Sequence, residues 1–336
     1  MSQYRRSPFL VVGLEGRDIV LQNCDTMRRF KVDERTLQVL SRLDSWASAT
    51  ELTPAGISEA DLAHLTRLGV VEERGAPDDD SATKHYWDPF DLAVQRRQNV
   101  ERYRESELRA RREPPPPATK PRAPGRVITL PGARDLPGSL QEALRRRRSV
   151  RTYAARPLEL EELSSVLYHS SRPIAQWHDD LLGDHIFRPF ASAGARSELE
   201  IYVIANDISG VPAGAHYYDY RIHELVHLRD QDEHQERLNK SMCAATGQAI
   251  NRDPQAILLI TAVFARVMWK YRGLGLGLLY KDTGCLLQTL YLVATAFDLA
   301  PCAIGAGEER DNARWLGLDP LLESQVGAFL LGTKAA

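Results

Sequence analysis

The chain is poor in cysteine, has no long apolar run and carries no excess of charge of either sign. Its four cysteines, Cys24, Cys243, Cys285 and Cys302, lie far apart and form no CxxC pair. That spacing excludes a zinc ribbon and a disulfide framework, and it fits a reducing cytoplasm. The longest apolar run, Ala256–Ala265, is ten residues and stops at Arg266, too short to span a bilayer. The N-terminus leads into only the short apolar patch Phe9–Leu14, so no secretory signal is expected. With 43 basic against 45 acidic residues, the net charge of −2 argues against a dedicated nucleic-acid binder. The histidines offer neither HExxH nor a plausible metal triad, and GxGxxG, GxxxxGK[ST] and GxSxG motifs are all missing. Zinc-hydrolase, dinucleotide, nucleotide-triphosphate and serine-hydrolase chemistries are thereby disfavoured. A soluble cytoplasmic protein without membrane or nucleic-acid partners is the expectation.

What is present is 336 residues, enough for two domains. Residues 1–75 hold alternating apolar segments, Phe9–Leu14 and Asp18–Gln22, which predict a hairpin around Gly13 and Gly16. Helical spacing follows at Leu37, Leu40 and Leu43, then a Ser58-capped helix closing at Gly69. Together these suggest a small winged-helix-like module. Residues 76–125 form a connection. Its stretch 91–113 is highly charged, with helical i,i+4 pairs Glu105–Arg109 and Glu107–Arg111. Pro114–Pro117, Pro121 and Pro124 then impose an extended, semi-rigid linker.

From residue 126 to 336, helices and strands alternate. Ser139 caps a helix, and Leu160, Leu163 and Leu167 share the apolar face of another. Leu199–Ala205, Ala256–Phe264 and Gln325–Gly332 read as buried strands, and Lys281–Leu299 as a long apolar helix. The pattern is α+β, with helices around a mixed sheet.

Four stretches are suited to chemistry. Arg145–Arg148 and Arg151, with Ser149 among them, concentrate guanidinium groups that match phosphate bidentately; the same run also suits a nucleic-acid patch. Small residues from Ala191 to Ala195 allow close approach of backbone to a flat ligand, or simply form a loop. Ile304-Gly-Ala-Gly-Glu is a second such turn. Lys270, flanked by Trp269 and Tyr271, is either a snorkelling surface lysine or a partly desolvated one. In the second case burial lowers its pKa and makes it a competent base.

In this order, Arg147-Arg-Ser-Val-Arg-Thr-Tyr, Pro157-Leu and Leu163-Ser-Ser-Val-Leu resemble the opening of the nitroreductase superfamily of FMN enzymes. Ala191-Ser-Ala-Gly-Ala, His216-Tyr-Tyr-Asp-Tyr, Trp269-Lys-Tyr-Arg and Asp282-Thr-Gly-Cys-Leu-Leu-Gln narrow the resemblance to SagB-type dehydrogenases, which oxidise azoline rings beside peptide cyclodehydratases. The resemblance covers residues 126–333, and residues 1–75 are similar to the leader-recognition modules such enzymes carry.

The resemblance implies a homodimeric α+β fold with FMN at the interface. It implies FMN phosphate and ribityl contacts at Arg147, Arg148, Ser149 and Arg151, and flavin contacts along Ser192, Ala193 and Gly194. Gln288, Gly305 and Gly307 complete the implied cofactor set, and Lys270 and Tyr271 form the implied catalytic pair. The implied reaction removes a ring C–H proton from a thiazoline or oxazoline of a ribosomally made peptide and passes hydride to flavin N5. The partners it implies are the azoline-bearing precursor peptide and a cyclodehydratase. Five positions depart from the family's pattern: Arg196-Ser197-Glu198 stand for Leu-Tyr-Pro, Cys285 for His and Thr289 for Asn. An NAD(P)H-dependent nitroreductase or other peptide-tailoring reductase, and a non-catalytic peptide-binding scaffold, are the alternative readings.

Overall fold

The computed structural model describes residues 2–53, 56–75, 86–100, 113–247, 250–305 and 307–335. Two compact units divide the chain, residues 1–102 and 103–336.

The first unit holds strands β1 (Gln3–Arg6), β2 (Leu10–Glu15), β3 (Asp18–Asn23), β4 (Arg29–Val32), β5 (Ala47–Ser48) and β6 (Val71–Glu73). Its helices are α1 (Glu34–Ser41), α2 (Ala49–Leu52), α3 (Glu59–Arg67) and α4 (Pro89–Val100). Strands β5-β1-β6 make one sheet and the β2-β3-β4 meander another. The β2–β3 turn needs Gly16 at φ +62°, and α3 starts with a reciprocal Ser58–Asp61 capping box. Leu21, Leu40, Leu43, Leu52, Ile57, Leu62, Val70 and Val71 form its core. Leu92 of α4 packs on Phe9 and Cys24, while the Glu105–Arg109 and Glu107–Arg111 pairs lie outside the described residues.

The described residues of the second unit hold nine strands, β7 (Arg126–Thr129), β8 (Ala175–Asp179), β9 (Gly183–Phe187), β10 (Leu199–Ala205), β11 (Gly214–Asp219), β12 (Glu224–Asp230), β13 (Ala256–Val263), β14 (Leu299–Ile304) and β15 (Glu323–Thr333), seven of them in one sheet. The sheet order is β14-β15-β13-β10-β11-β12-β7, and β8-β9 form a separate hairpin. Helices are α5 (Leu140–Arg146), α6 (Leu160–Ser171), α7 (Glu233–Ala244), α8 (Phe264–Met268), α9 (Gly275–Ala296) and α10 (Glu309–Trp315). The fold is α+β, with a large sheet flanked by helices, and no helix among the described residues is long and apolar enough to cross a membrane.

Two expectations are corrected. Every ladder in the large sheet is antiparallel, not mixed. The helical crossover from β13 to β14 does join two strands of like direction, but β15 inserts between them, so each neighbour runs the opposite way. The long helix runs from Gly275 to Ala296 instead of Lys281 to Leu299. Its early start depends on Gly275, where a Cβ would lie 2.8 Å from Met268 Cγ. It ends as Asp298, at φ +55°, turns the chain into β14.

Alternation along β10 and β13 sends Ile201, Val203, Leu258 and Ile260 to one face, against Leu163, Val166, Leu286 and Leu290 of α6 and α9. Tyr202, Ile204, Ile257 and Leu259 point to the other face, with Leu238 and Met242 of α7. Both faces are covered, which is why the central strands carry almost no polar residues.

The proline-rich stretch is bound along this second unit. Trp269 Nε1 donates to Glu113 O at 3.1 Å, Arg196 Nη2 to Pro116 O at 2.6 Å and Arg266 Nε to Pro117 O at 2.9 Å. Prolines cannot offer N–H groups there, so the strap is held by its carbonyls.

Candidate functional site

The strand β13 ends at Val263, the single helical segment α8 turns the chain, and Trp269-Lys270-Tyr271 emerge against the loop Ala191–Arg196 that precedes β10. Gly194 (φ +63°), Ala195 (φ +52°) and Ser197 (φ +51°) all lie in the left-handed region, two of them with a Cβ. Such a run is costly and persists only where surrounding contacts impose it. Four do so. Ser192 Oγ donates to Glu198 Oε2 at 2.6 Å and accepts from Ser197 N at 3.3 Å. Ala193 N donates to Asp282 Oδ2 of α9 at 2.8 Å, and His185 Nδ1 of β9 meets Gly194 O at 2.8 Å.

Into this held loop fit the lysine and tyrosine. A Cβ on Gly194 would stand 3.0 Å from Lys270 Nζ and 2.9 Å from Tyr271 Oη, so the residue is glycine for reach as well as for backbone. Burial lowers the Lys270 pKa, and the nearby Arg196 guanidinium lowers it further, against a weaker opposing pull from Asp179. Burial lowers His185 as well, which favours a neutral ring with its proton on Nδ1, toward the Gly194 carbonyl. Trp177 stacks on that ring at 4.2 Å and 10°. Trp177, Leu182, His185, Phe190 and Lys270 line an open cleft of about 500 Å³. A neutral amine beside an aromatic wall can take a proton from a flat, weakly acidic carbon.

A second locus gathers the arginine run. Ser139 caps α5, whose end releases Arg147 into extended chain. Arg146 is committed to Glu142 and Asp298. Arg147 lies over the Tyr291 ring at 5.1 Å, and Ser149 Oγ meets Tyr291 Oη at 2.6 Å. Tyr291 Oη also accepts from Ala303 N at 2.7 Å, tying the run to β14. The side chains of Arg145, Arg147 and Arg148 have no hydrogen bond or ion pair among the described residues. Guanidinium groups without an anion, next to a hydroxyl, are a donor set suited to phosphate.

The third locus is a cleft of about 550 Å³ lined by Gly305, Gly307, Phe264, Tyr280 and Gln325. Gly307 leaves no room for a Cβ, which would sit 2.4 Å from Gln325 Nε2. Ala306 lies outside the described residues.

Thus Ser192, Ala193 and Gly194 are brought together with Lys270 and Tyr271, and Arg147 with Ser149, while Arg148 lies beside Val150, Asp298 and Lys334. Arg151 is half-buried, and Gln288 is exposed on α9, lining neither of the two clefts described. Helix α9 is the common spine. Its Asp282 holds the Ser192 loop and its Tyr291 the arginine run, nine residues or about 13 Å further along the axis. The motifs alone do not single out Asp282, Tyr291, Glu198, His185 and Trp177 as positioning groups. For the first two there is a signal: a carboxylate and a phenol inside a long, largely apolar helix.

The family model described as "Nitroreductase family" matches residues 144–333. The protein MJ1384 of Methanocaldococcus jannaschii, which carries a nitroreductase name, is 30% identical over 202 residues, 60% of this chain and 95% of its own. The trifolitoxin-processing protein TfxB of Rhizobium leguminosarum bv. trifolii is 28% identical over 158 residues, 44% of this chain and 40% of its own length. Among solved structures, one titled as a nitroreductase from Ralstonia eutropha JMP134 superimposes with a TM-score of 0.51 at 24% identity, covering 67% of this chain and 98% of that one.

Proposed function

The chain belongs to the nitroreductase family, and from that premise we propose that it binds FMN and dehydrogenates an azoline ring in a ribosomally made peptide. The observation that carries the reading is Lys270, half-buried, pushed toward its neutral form and seated with Tyr271 directly on the Gly194 loop. The similarity to the trifolitoxin-processing protein TfxB supports a processing role, and the peptide substrate is what the SagB-type resemblance implies.

In this reading Arg147, Arg148, Ser149 and Arg151 take the FMN phosphate and ribityl groups, Ser192–Gly194 lie along its ring, and Gly305 and Gly307 contribute from their cleft. The observation that supports it is the Arg147 guanidinium, without an anion among the described residues, beside the Ser149 hydroxyl. When bound, FMN supplies the two-electron acceptor that aromatising the ring requires. The protein's own groups do the rest. Neutral Lys270 takes the proton from the ring carbon between the imine and the carbonyl. Tyr271 orients that amine, and the Trp177–His185 stack offers a flat wall for the ring. One proton and one hydride equivalent leave, which balances azoline to azole. A homodimer, a leader-binding role for residues 1–75 and association with a cyclodehydratase belong to the same proposal.

The test starts with the visible spectrum of the purified protein and release of its chromophore, where stoichiometric FMN is expected. Lys270→Ala is then expected to keep the flavin and to lower ring oxidation about 10²- to 10⁴-fold, the usual contribution of a positioned base. Full activity in that variant overturns the assignment. The match to almost all of MJ1384 favours a second reading, an NAD(P)H-dependent nitroreductase. Rapid flavin reduction by NADPH without peptide would select it.

A further inference from the structure

We propose that Glu198 carries the single proton of an acid pair with Asp282, and that this proton holds the Ser192–Ala195 loop in the shape that seats Lys270 and Tyr271. Glu198 is then a positioning residue, at a place where the resembled family carries proline.

The geometry is that of two carboxyl groups converging on consecutive loop residues. Glu198 is fully buried and Asp282 nearly so, at 0% and 6% exposure. Glu198 Oε2 accepts from Ser192 Oγ at 2.6 Å and Asp282 Oδ2 from Ala193 N at 2.8 Å. Accepting from adjacent residues of one loop brings the two buried carboxyls close together, where two ionised groups would repel and a proton on one of them removes that repulsion. Glu198 Oε1 is buried and has no donor among the described residues. A proton there turns that orphaned acceptor into a donor that can be directed at Asp282.

Among the described residues no cation is hydrogen-bonded or ion-paired to either carboxyl: the buried Arg188 gives Nε to Ser171 O and Nη1 to Ser197 Oγ and Leu199 O. Arg196 gives its Nη groups to the carbonyls of Leu182, Asp184 and Pro116. Arg266 of α8 gives Nη1 to Glu200 Oε1 and Ser197 O, and Nε to Pro117 O. His185 of β9 faces the Gly194 carbonyl, and Lys270 and Tyr271 face the Gly194 Cα. Lys281, exposed on α9, acts on Asp282 through its charge. Burial accordingly pushes Glu198 up from 4.5 to about 7, and Asp282 upward too. The folded chain therefore binds this proton more tightly than the unfolded chain. Stability from the pair is present below pH 4.5 and declines as pH rises to about 7. Above that, two like charges lie under a segment with three residues at positive φ, and the loop is released.

The test uses the full chain and reads neither flavin nor turnover, so its outcome is independent of the proposed activity. Infrared titration is expected to show a protonated carboxylic acid that ionises near pH 7 and is missing from Glu198→Gln. Hydrogen exchange of residues 191–195, corrected for intrinsic rates, should lose protection across the same interval in the wild type. In Glu198→Gln, whose amide replaces the acid proton as donor, protection should persist. Asp282→Asn supplies a donor to Glu198 and should also abolish the acid band. No acid band in the wild type, a band retained in Glu198→Gln, or identical pH dependence of exchange in both overturns the proposal. If both variants fail to fold, the wild-type titration alone decides.

Discussion

Gly194 shows how little space separates the loop from its lysine. Alanine there meets a left-handed backbone and two polar atoms at about van der Waals limit or closer. Gly194→Ala is expected to cost roughly 1–2 kcal/mol from backbone conformation alone, read by chemical denaturation, and to lower activity further by displacing Lys270. The lysine itself has a pH signature. Its pKa lies below the usual 10.5, so the proposed base gains competence as pH rises through that lowered value and is an ammonium below it. Arg196→Met removes one of the two causes of the depression and should move the acid limb of the rate profile to higher pH. Arg196→Lys, which keeps the charge, should move it less. Arg196 also shows why a substitution can look disruptive in a motif and be structural in the fold. It replaces an apolar residue of the resembled pattern, yet its guanidinium finds three backbone carbonyls.

At the scale of elements, α9 decides how the separate motifs relate. Tyr291 binds the arginine run through Ser149 and β14 through Ala303 N with one hydroxyl. Tyr291→Phe leaves a backbone donor and a serine without that partner, an expected loss of about 1–3 kcal/mol by denaturant titration. The same variant should weaken FMN uptake, measured by fluorescence quenching, because Ser149 and Arg147 lose their support. Much of α9 was legible: its apolar repeat marks a buried helix. Its true start was not, because Gly275 and Gly277 read as breakers in isolation. Only the close packing of Met268 makes a glycine at 275 necessary. Strand pairing was hidden for a similar reason. Apolar runs identify β13 and β15 as buried strands, but Leu299–Ile304 is not among the expected strands, and no local pattern can show that β15 inserts between β13 and β14.

For the whole molecule, the two units have cores of their own, and the groups proposed for cofactor and catalysis all fall in residues 103–336. A chain reduced to residues 103–336 is expected to retain FMN while losing peptide affinity, measured by calorimetry against a full precursor peptide and its leaderless form. Equal affinity in the two chains would remove peptide recognition from the first unit. Sedimentation of the loaded full chain checks the proposed homodimer.

Periodicity, caps and composition were enough to place helices α1, α3, α5 and α6, the buried strands β10, β13 and β15, and the stretches rich in arginine, small residues or glycine. These are properties of short windows, governed by local backbone preference and by which residues avoid water. The ordered motifs also carried the family resemblance. Tertiary structure alone decided that Gly194 lies against Lys270 and Tyr271, that Arg196 and Arg266 secure the proline strap, and that Glu198 meets Asp282. These contacts join residues up to 150 positions apart (Arg266 and Pro117 differ by 149). They depend on how β10, α8 and α9 pack, and the pKa shifts that follow arise from burial and neighbouring charge, which no linear window contains.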